Sequence, residues 1–196
     1  MLERYFRTKA ALSDHVMGKP LSGAYPLELM EIFSDELFNT ASSEITNWSG
    51  YGLTPLRSLD SLANALGIHA VHYKDESGRF GLGSFKALGG AYAVMRVLSA
   101  QTGLATSDIR AGAAKEAVRE VTVAAATDGN HGGSVAWGAG KAGCQGRIYI
   151  HRGVSDGRRR AMEELGATVT RTAGDYDDSD HVCARDAAAH AWHVVS

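Results

Sequence analysis

Apolar positions change their spacing along the chain, and the second half shows the most regular pattern. From Val121 onward, short apolar runs alternate with segments whose apolar residues recur at helical spacing. The runs VTVAAAT, RIYIH, TVTRT and WHVVS predict four strands, and the segments between them predict three helices. Strands that alternate with helices favour right-handed crossovers and a parallel sheet. The pattern therefore predicts an open parallel α/β sheet with flanking helices.

The first half is less regular, but helical spacing recurs in three places. PLELMEIF predicts a short helix within an otherwise irregular first fifty residues. The apolar residues from Leu56 to Leu66 predict a second helix, which a short strand at IHAVHY follows. A third helix is predicted from near Ser84. Its packing face is predicted to comprise Phe85, Leu88, Tyr92 and Met95.

Composition narrows the class of protein. The chain has 196 residues and a net charge of −2, which fits one domain or two small ones and predicts no nucleic-acid partner. The basic run Gly157–Arg160 is interpreted as a solvated helix face. Two cysteines without a CxxC pair favour a reducing compartment, and no apolar stretch has the length of a membrane span. We therefore expect a cytoplasmic protein without a membrane partner.

Candidate metal ligands are poorly arranged. The acidic run between Asp175 and Asp180 lacks the glycine and the distal glutamate of a calcium loop. Acidic residues suit the first turn of a helix, because they complement its dipole. We therefore predict a helix start at this run and no metal site.

Lys86 lies within a glycine-rich segment, GRFGLGSFKALGG. The segment matches neither the phosphate-binding pattern GxxxxGK[ST] nor the dinucleotide pattern GxGxxG, which argues against a nucleotide-binding domain. A lysine amine is nucleophilic only when neutral, and burial against Phe85, Ala87 and Leu88 would favour the neutral form. The alternative is an ordinary solvated helix lysine, and residue chemistry alone leaves both interpretations open.

The segment ATDGNHGG joins a predicted buried strand to a predicted helix. Parallel sheets bind ligands beyond the carboxyl ends of their strands, and a helix N-terminus offers free N–H groups to an anion. Asp128 is a candidate base, and Asn130 can both donate and accept hydrogen bonds. An ordinary turn before a helix would use the same residue types, so this segment also stays open.

Taken together, these segments resemble a known group of enzymes. TPL at Thr54–Leu56, SFKALGGAYA and TDGNHG resemble, in this order, motifs of the fold-type II pyridoxal 5'-phosphate (PLP) enzymes, which include tryptophan synthase β and threonine dehydratase. The longer segments YKDESGRFGLGSFKALGGAYA and ATDGNHGGSVAW resemble the diaminopropionate ammonia-lyase family within that group. The resemblance runs from Thr54 to the end of the chain, although Gly133 stands where this lyase family often has arginine.

The resemblance implies a role for each candidate residue. Lys86 would bind PLP through an imine, Phe85 would lie near the ring, and Asn130 would hydrogen-bond the 3-oxygen of the ring. Lys86 and Asp128 would be bases for opposite α-stereochemistries of a small amino-acid substrate. The implied reaction converts 2,3-diaminopropionate into pyruvate and ammonia by α,β-elimination. The implied substrate-binding residues are Gly129, Asn130, His131 and Gly132.

The resemblance also implies a domain division. Residues 1–84 would form the N-terminal part of the large PLP domain, and residues 85–196 a small βα domain. The later half of the family fold, which supplies a glycine-rich phosphate cup, has no counterpart here, so we expect a truncated chain that alone binds PLP poorly. The complete enzyme is expected to be a homodimer. The alternatives are a threonine or serine dehydratase-like enzyme of the same fold type and an inactive N-terminal fragment.

Overall fold

The computed structural model describes residues 27–196, and the chain divides into two units after Leu37. Helix α1 (Leu27–Ile32) confirms the helix predicted at PLELMEIF. Helix α2 (Asp35–Thr46) follows, so the prediction of an irregular first fifty residues is wrong for this stretch. The prediction of irregular structure for residues 1–26 lies outside the described residues.

A short antiparallel pair precedes the main sheet. Strand β1 (Leu56–Ser58) pairs with β2 (His72–Lys74), and α3 (Asp60–Leu66) connects the two strands. The helix predicted from Leu56 therefore starts only at Asp60. The strand predicted from Ile68 starts only at His72. The secondary structure of this region depends on the pairing of β1 with β2, whose residues lie about sixteen positions apart. Local apolar spacing does not reveal such a partner.

The main sheet has four strands in the order β5-β4-β3-β6, and every neighbouring pair is parallel. Its strands are β3 (Thr122–Thr127), β4 (Gln145–Ile150), β5 (Thr168–Arg171) and β6 (His193–Val194). Its connecting helices are α7 (Asn130–Ala142), α8 (Asp156–Glu164) and α9 (Tyr176–His190). The predicted strand–helix alternation and parallel sheet are confirmed.

Both faces of the main sheet are covered, and β3 is buried along its whole length. Val123 and Ala125 face the larger core, to which α4 (Lys86–Thr102) and α7 contribute, whereas Ala124 and Ala126 pack near Cys183 of α9. A strand with two buried faces needs apolar residues at every position, which explains the continuous run that predicted it.

Helix α4 packs through its small residues. Its buried positions are Ala87, Gly90, Ala91, Val94, Met95 and Leu98. Of the predicted face, Met95 is buried and Tyr92 packs half-buried against the same core, whereas Leu88 is only half-buried and Phe85 is exposed. Small residues occupy the contact with α7, because the two helices approach closely. A Cβ on Gly138 of α7 would lie 2.8 Å from the Cα of Ala91. Helices α5 (Thr106–Arg110) and α6 (Lys115–Glu120) then lead into β3.

The starts of α8 and α9 are capped by side chains. Ser155 Oγ accepts a hydrogen bond from the N–H of Arg158 at 3.4 Å. Asp175 and Asp178 form a reciprocal capping box, which confirms the helix start predicted at this acidic run. Within residues 27–196, no helix combines the length and the apolar character that crossing a membrane requires.

Candidate active site

The lysine turn, residues 81–86, ends at the first residue of α4. Gly81 and Gly83 adopt left-handed backbone conformations, with φ of 73° and 69°, which favour glycine strongly. Ser84 Oγ accepts a hydrogen bond from the N–H of Lys86 at 3.2 Å. The glycine density before Lys86 therefore follows partly from the geometry of the turn.

The side chains at the end of the lysine turn face water. Lys86 is exposed and Phe85 is 62% exposed, whereas Ala87 turns into the core. The expectation that Phe85, Ala87 and Leu88 bury the amine of Lys86 is therefore not met by the described residues. The reason is the helical phase, since Ala87 and Lys86 project in different directions from the first turn of α4.

A charged cluster anchors the residues just before the lysine turn. Arg79 is buried and donates hydrogen bonds to Glu76, to the carbonyl of Gly52 at 2.7 Å and to Thr54. Thr54 in turn donates to Glu76. The hydrogen bonds from Arg79 and Thr54 lower the pKa of the Glu76 carboxyl from 4.5 to about 2. This cluster ties the lysine turn to the TPL segment.

The asparagine loop, residues 127–132, joins β3 to α7 and is held internally. Thr127 Oγ1 accepts hydrogen bonds from the N–H groups of Gly129 at 3.0 Å and Gly132 at 3.1 Å. A Cβ on the buried Gly132 would overlap the methyl group of Thr127 and lie 3.0 Å from Ile148 Cγ2. Tight packing against β3 and β4 therefore explains the glycine at position 132.

Two predicted substrate-binding amides are consequently engaged inside the loop, namely those of Gly129 and Gly132. Within residues 27–196, the N–H groups of Asn130 and His131 have no hydrogen-bond partner, as expected for the start of a helix. The imidazole Nε2 of His131 lies 2.8 Å from the carbonyl oxygen of Val195, just after β6. The side chains of Asp128 and Asn130 are exposed.

Helices α4 and α7 bring the lysine turn and the asparagine loop to the same end of the packed pair. A Cβ on Gly90 would overlap Ser134 Oγ, so the two backbones approach closely there. Gly90 and Ser134 each lie four residues, about one turn, after Lys86 and Asn130. The next contact, between Ala91 and Gly138, advances in the same direction along both helices. The two helices thus start side by side.

A groove lies beside the asparagine loop. It has a volume of about 330 Å³, and its lining includes Leu82, Gly129, Asn130 and Arg158. Arg158 Nη1 donates a hydrogen bond to the carbonyl oxygen of Asp128 at 2.9 Å. The run Gly157–Arg160 was interpreted as a solvated helix face, so this contact was not predicted. Thr127 was also missed, although a hydroxyl residue at the end of a buried strand, two positions before a glycine, is a recognisable signal.

The parallel sheet, the lysine at a glycine-rich helix start and the asparagine loop after a central strand define a class. The model of the family described as pyridoxal-phosphate dependent enzyme matches residues 48–196. The chain belongs to this family, which confirms the predicted fold type and cofactor class.

Particular relatives narrow the comparison. The diaminopropionate ammonia-lyase of Escherichia coli strain K12 is 39% identical over 169 residues, which cover 86% of this chain and 42% of that protein. The crystal structure of the Escherichia coli enzyme in apo form aligns with a TM-score of 0.76 at 39% identity, covering 84% of this chain and 45% of that one. A structure of that enzyme in complex with D-serine aligns with a TM-score of 0.74 at 37% identity, covering 84% and 43%. The chain thus spans less than half the length of these relatives.

The residues at the adjacent starts of α4 and α7 fit PLP. Gly89 is exposed one turn after Lys86, and a Cβ there would meet no atom of the described residues within 4 Å, so a flat ring can approach α4. Lys86 supplies a primary amine, and Asn130 supplies an amide at the adjacent helix start. Among residues 27–196, no group of three or more His, Cys, Asp or Glu side chains is arranged to hold a metal ion.

Proposed function

We propose that this chain provides the lysine and asparagine-loop part of a PLP-dependent ammonia-lyase that acts on 2,3-diaminopropionate. The observation that carries the proposal is the parallel packing of α4 and α7, which starts Lys86 and Asn130 side by side next to Asp128. The similarity to diaminopropionate ammonia-lyases supports the choice of substrate. In the proposed reaction, 2,3-diaminopropionate and water give pyruvate and two molecules of ammonia.

The chain's own residues would have separate roles in the proposed reaction. Lys86 would hold PLP, Phe85 would lie near its ring, and Asn130 would donate a hydrogen bond to it. When bound, PLP supplies an electron sink for the carbanion that forms at the substrate α-carbon. Lys86 and Asp128 would remove the α-proton from opposite stereoisomers, because they would approach from opposite sides.

The substrate carboxylate would bind at the start of α7. The N–H groups of Asn130 and His131 are available there without loss of an internal hydrogen bond, and a helix N-terminus favours an anion. Gly129 and Gly132 would contribute by shaping the loop. Their N–H groups already donate to Thr127 Oγ1, so they would bind the carboxylate only through hydrogen bonds shared with that oxygen. A cytoplasmic location and a homodimeric complete enzyme are also part of the proposal.

A chimera tests the reaction directly. The aligned 169 residues of the Escherichia coli enzyme are replaced by the matching residues of this chain, and the product is purified with PLP. We expect pyruvate release from 2,3-diaminopropionate in excess of the rates with threonine and serine, and loss of this activity in Lys86→Ala. Faster turnover of threonine or serine would favour a dehydratase, and a folded chimera that binds no PLP would favour a non-catalytic chain.

A further inference from the structure

Arg158 occupies a fixed position in the first turn of α8. The Ser155 cap binds its N–H group, and the preceding strand β4 ends beside β3, at the pair Thr127 and Ile150. Helix α8 therefore starts at the edge of the sheet from which the asparagine loop leaves.

The side chain of Arg158 lies along the backbone of the asparagine loop. Its Nη1 donates to the Asp128 carbonyl at 2.9 Å, and a Cβ on Gly129 would be 3.5 Å from Cδ, Nε and Cζ of the arginine. One turn later, Met162 Sδ would lie 3.0 Å from a Cβ on Gly132. Helix α8 thus contacts the loop at two points, one polar and one apolar.

The neighbouring arginines point to partners in their own helix. Arg159 Nη1 binds Glu163 at 2.9 Å, and Arg160 Nε donates to the carbonyl of Asp156 at 3.3 Å. In the part of the chain that the structure describes, Arg158 has no acidic partner, and its side chain donates to the Asp128 carbonyl. This carbonyl lies beyond the last paired residue of β3, so the strand ladder does not hold it.

We propose that Arg158 is a positioning residue for the asparagine loop. Gly129 has no side chain to restrict the peptide that joins it to Asp128, and a charged donor on the Asp128 carbonyl fixes that peptide. Asp128 supplies the carbonyl of this peptide, so fixing the peptide sets the direction of the Asp128 side chain. The expected effect on turnover through Asp128 rests on the proposed function, whereas the restraint of the loop by Arg158 does not.

Amide hydrogen exchange in the 196-residue chain without PLP tests the restraint. Arg158→Gln is compared with Arg160→Gln, a matched change on the same helix, and with the conservative Arg158→Lys. We expect the N–H groups of Gly129 and Gly132 to exchange about tenfold faster in Arg158→Gln, unchanged in Arg160→Gln and largely restored in Arg158→Lys. Amides in the middle of β3 should exchange at the parent rate in all three variants.

Unchanged exchange at Gly129 and Gly132 in Arg158→Gln, or equal acceleration in Arg160→Gln, would overturn the proposal. Acceleration along β3 to the same extent would overturn it too, because the effect would then be global. In the chimera, Arg158→Gln should lower kcat about tenfold for the isomer that depends on Asp128 and leave the other isomer within about twofold. Equal losses on both isomers would contradict positioning of Asp128. An inactive chimera would count against the proposed function and leave the exchange result decisive for the loop.

Discussion

The asparagine loop and the lysine turn lie at the same end of two packed helices, yet their surroundings differ. The loop is held by the Thr127 hydroxyl, by Arg158 and by packing around Gly132. The lysine turn is anchored by Arg79 just before it and by Ser84 Oγ, which accepts from the N–H of Lys86, and its final residues Phe85 and Lys86 face water. The difference teaches that this chain holds the backbone of the asparagine loop through several contacts, whereas the side chains of Lys86, Asp128 and Asn130 are all exposed.

The largest expected effect concerns Asp128, the proposed base in the asparagine loop. In the chimera, Asp128→Asn should depress turnover of one stereoisomer of 2,3-diaminopropionate about a hundredfold to ten-thousandfold, the usual worth of a positioned base. The other isomer, for which Lys86 is the proposed base, should be affected far less. Pyruvate release from each pure isomer measures the ratio, and equal losses on both would remove Asp128 from the proposed chemistry.

The next effect tests the packing that joins the two regions. Gly90→Ala should destabilise the chain by about 1–3 kcal/mol, because the new methyl group overlaps Ser134 Oγ. Gly89→Ala, one residue away, should stabilise it by up to about 1 kcal/mol, because alanine is the better helix former and the methyl group enters open space. Urea unfolding of both variants gives the comparison. Similar changes in unfolding free energy would refute the close approach of α4 and α7.

A third effect tests the internal hydrogen bonds of the asparagine loop. Thr127→Val should destabilise the chain by about 2 kcal/mol, since the buried N–H of Gly132 and that of Gly129 lose their acceptor. Thr127→Ser keeps the hydroxyl and is the matched control. If the valine variant unfolds at the same urea concentration as the serine variant, the hydroxyl does not organise the loop.

The smallest effect should distinguish the two regions by pH. The pKa of Glu76 is lowered from 4.5 to about 2, so its stabilisation is complete above pH 4.5 and is lost as the pH falls towards 2. The difference in unfolding free energy between the parent chain and Glu76→Gln should be about 1 kcal/mol at pH 6 and should shrink by pH 3. The effect of Thr127→Val should keep its size over this range, because neither partner titrates. A pH-independent Glu76 effect would contradict the ionic anchor.

Sequence reasoning succeeded where one local pattern determines the structure. Every residue of β3 is buried, which matches the continuous apolar run that predicted it, and the Ser155 and Asp175 caps act within four residues of their own positions. The lysine and asparagine motifs were identified by resemblance, and their roles in this chain remain predictions.

Features that depend on a distant partner were not predicted. The buried face of α4 includes Gly90 and Ala91 because α7 comes close, and Phe85, which was assigned to that face, is exposed. β1 was taken as helix because its partner β2 lies beyond α3. Arg158 contacts Asp128 across thirty positions, and nothing in the basic run distinguishes it from Arg159 or Arg160.

The central claim is that Lys86 is the lysine that this chain presents to PLP, and chemical trapping tests it most directly. The 196-residue chain is incubated with PLP, reduced with borohydride, digested and mapped by mass spectrometry. Because reduction captures even weak binding, we expect the label chiefly on Lys86, and less of it there in Asn130→Ala, with little on the exposed Lys74. Equal labelling of Lys86 and Lys74, or a label on other lysines with Lys86 unmodified, would contradict the account.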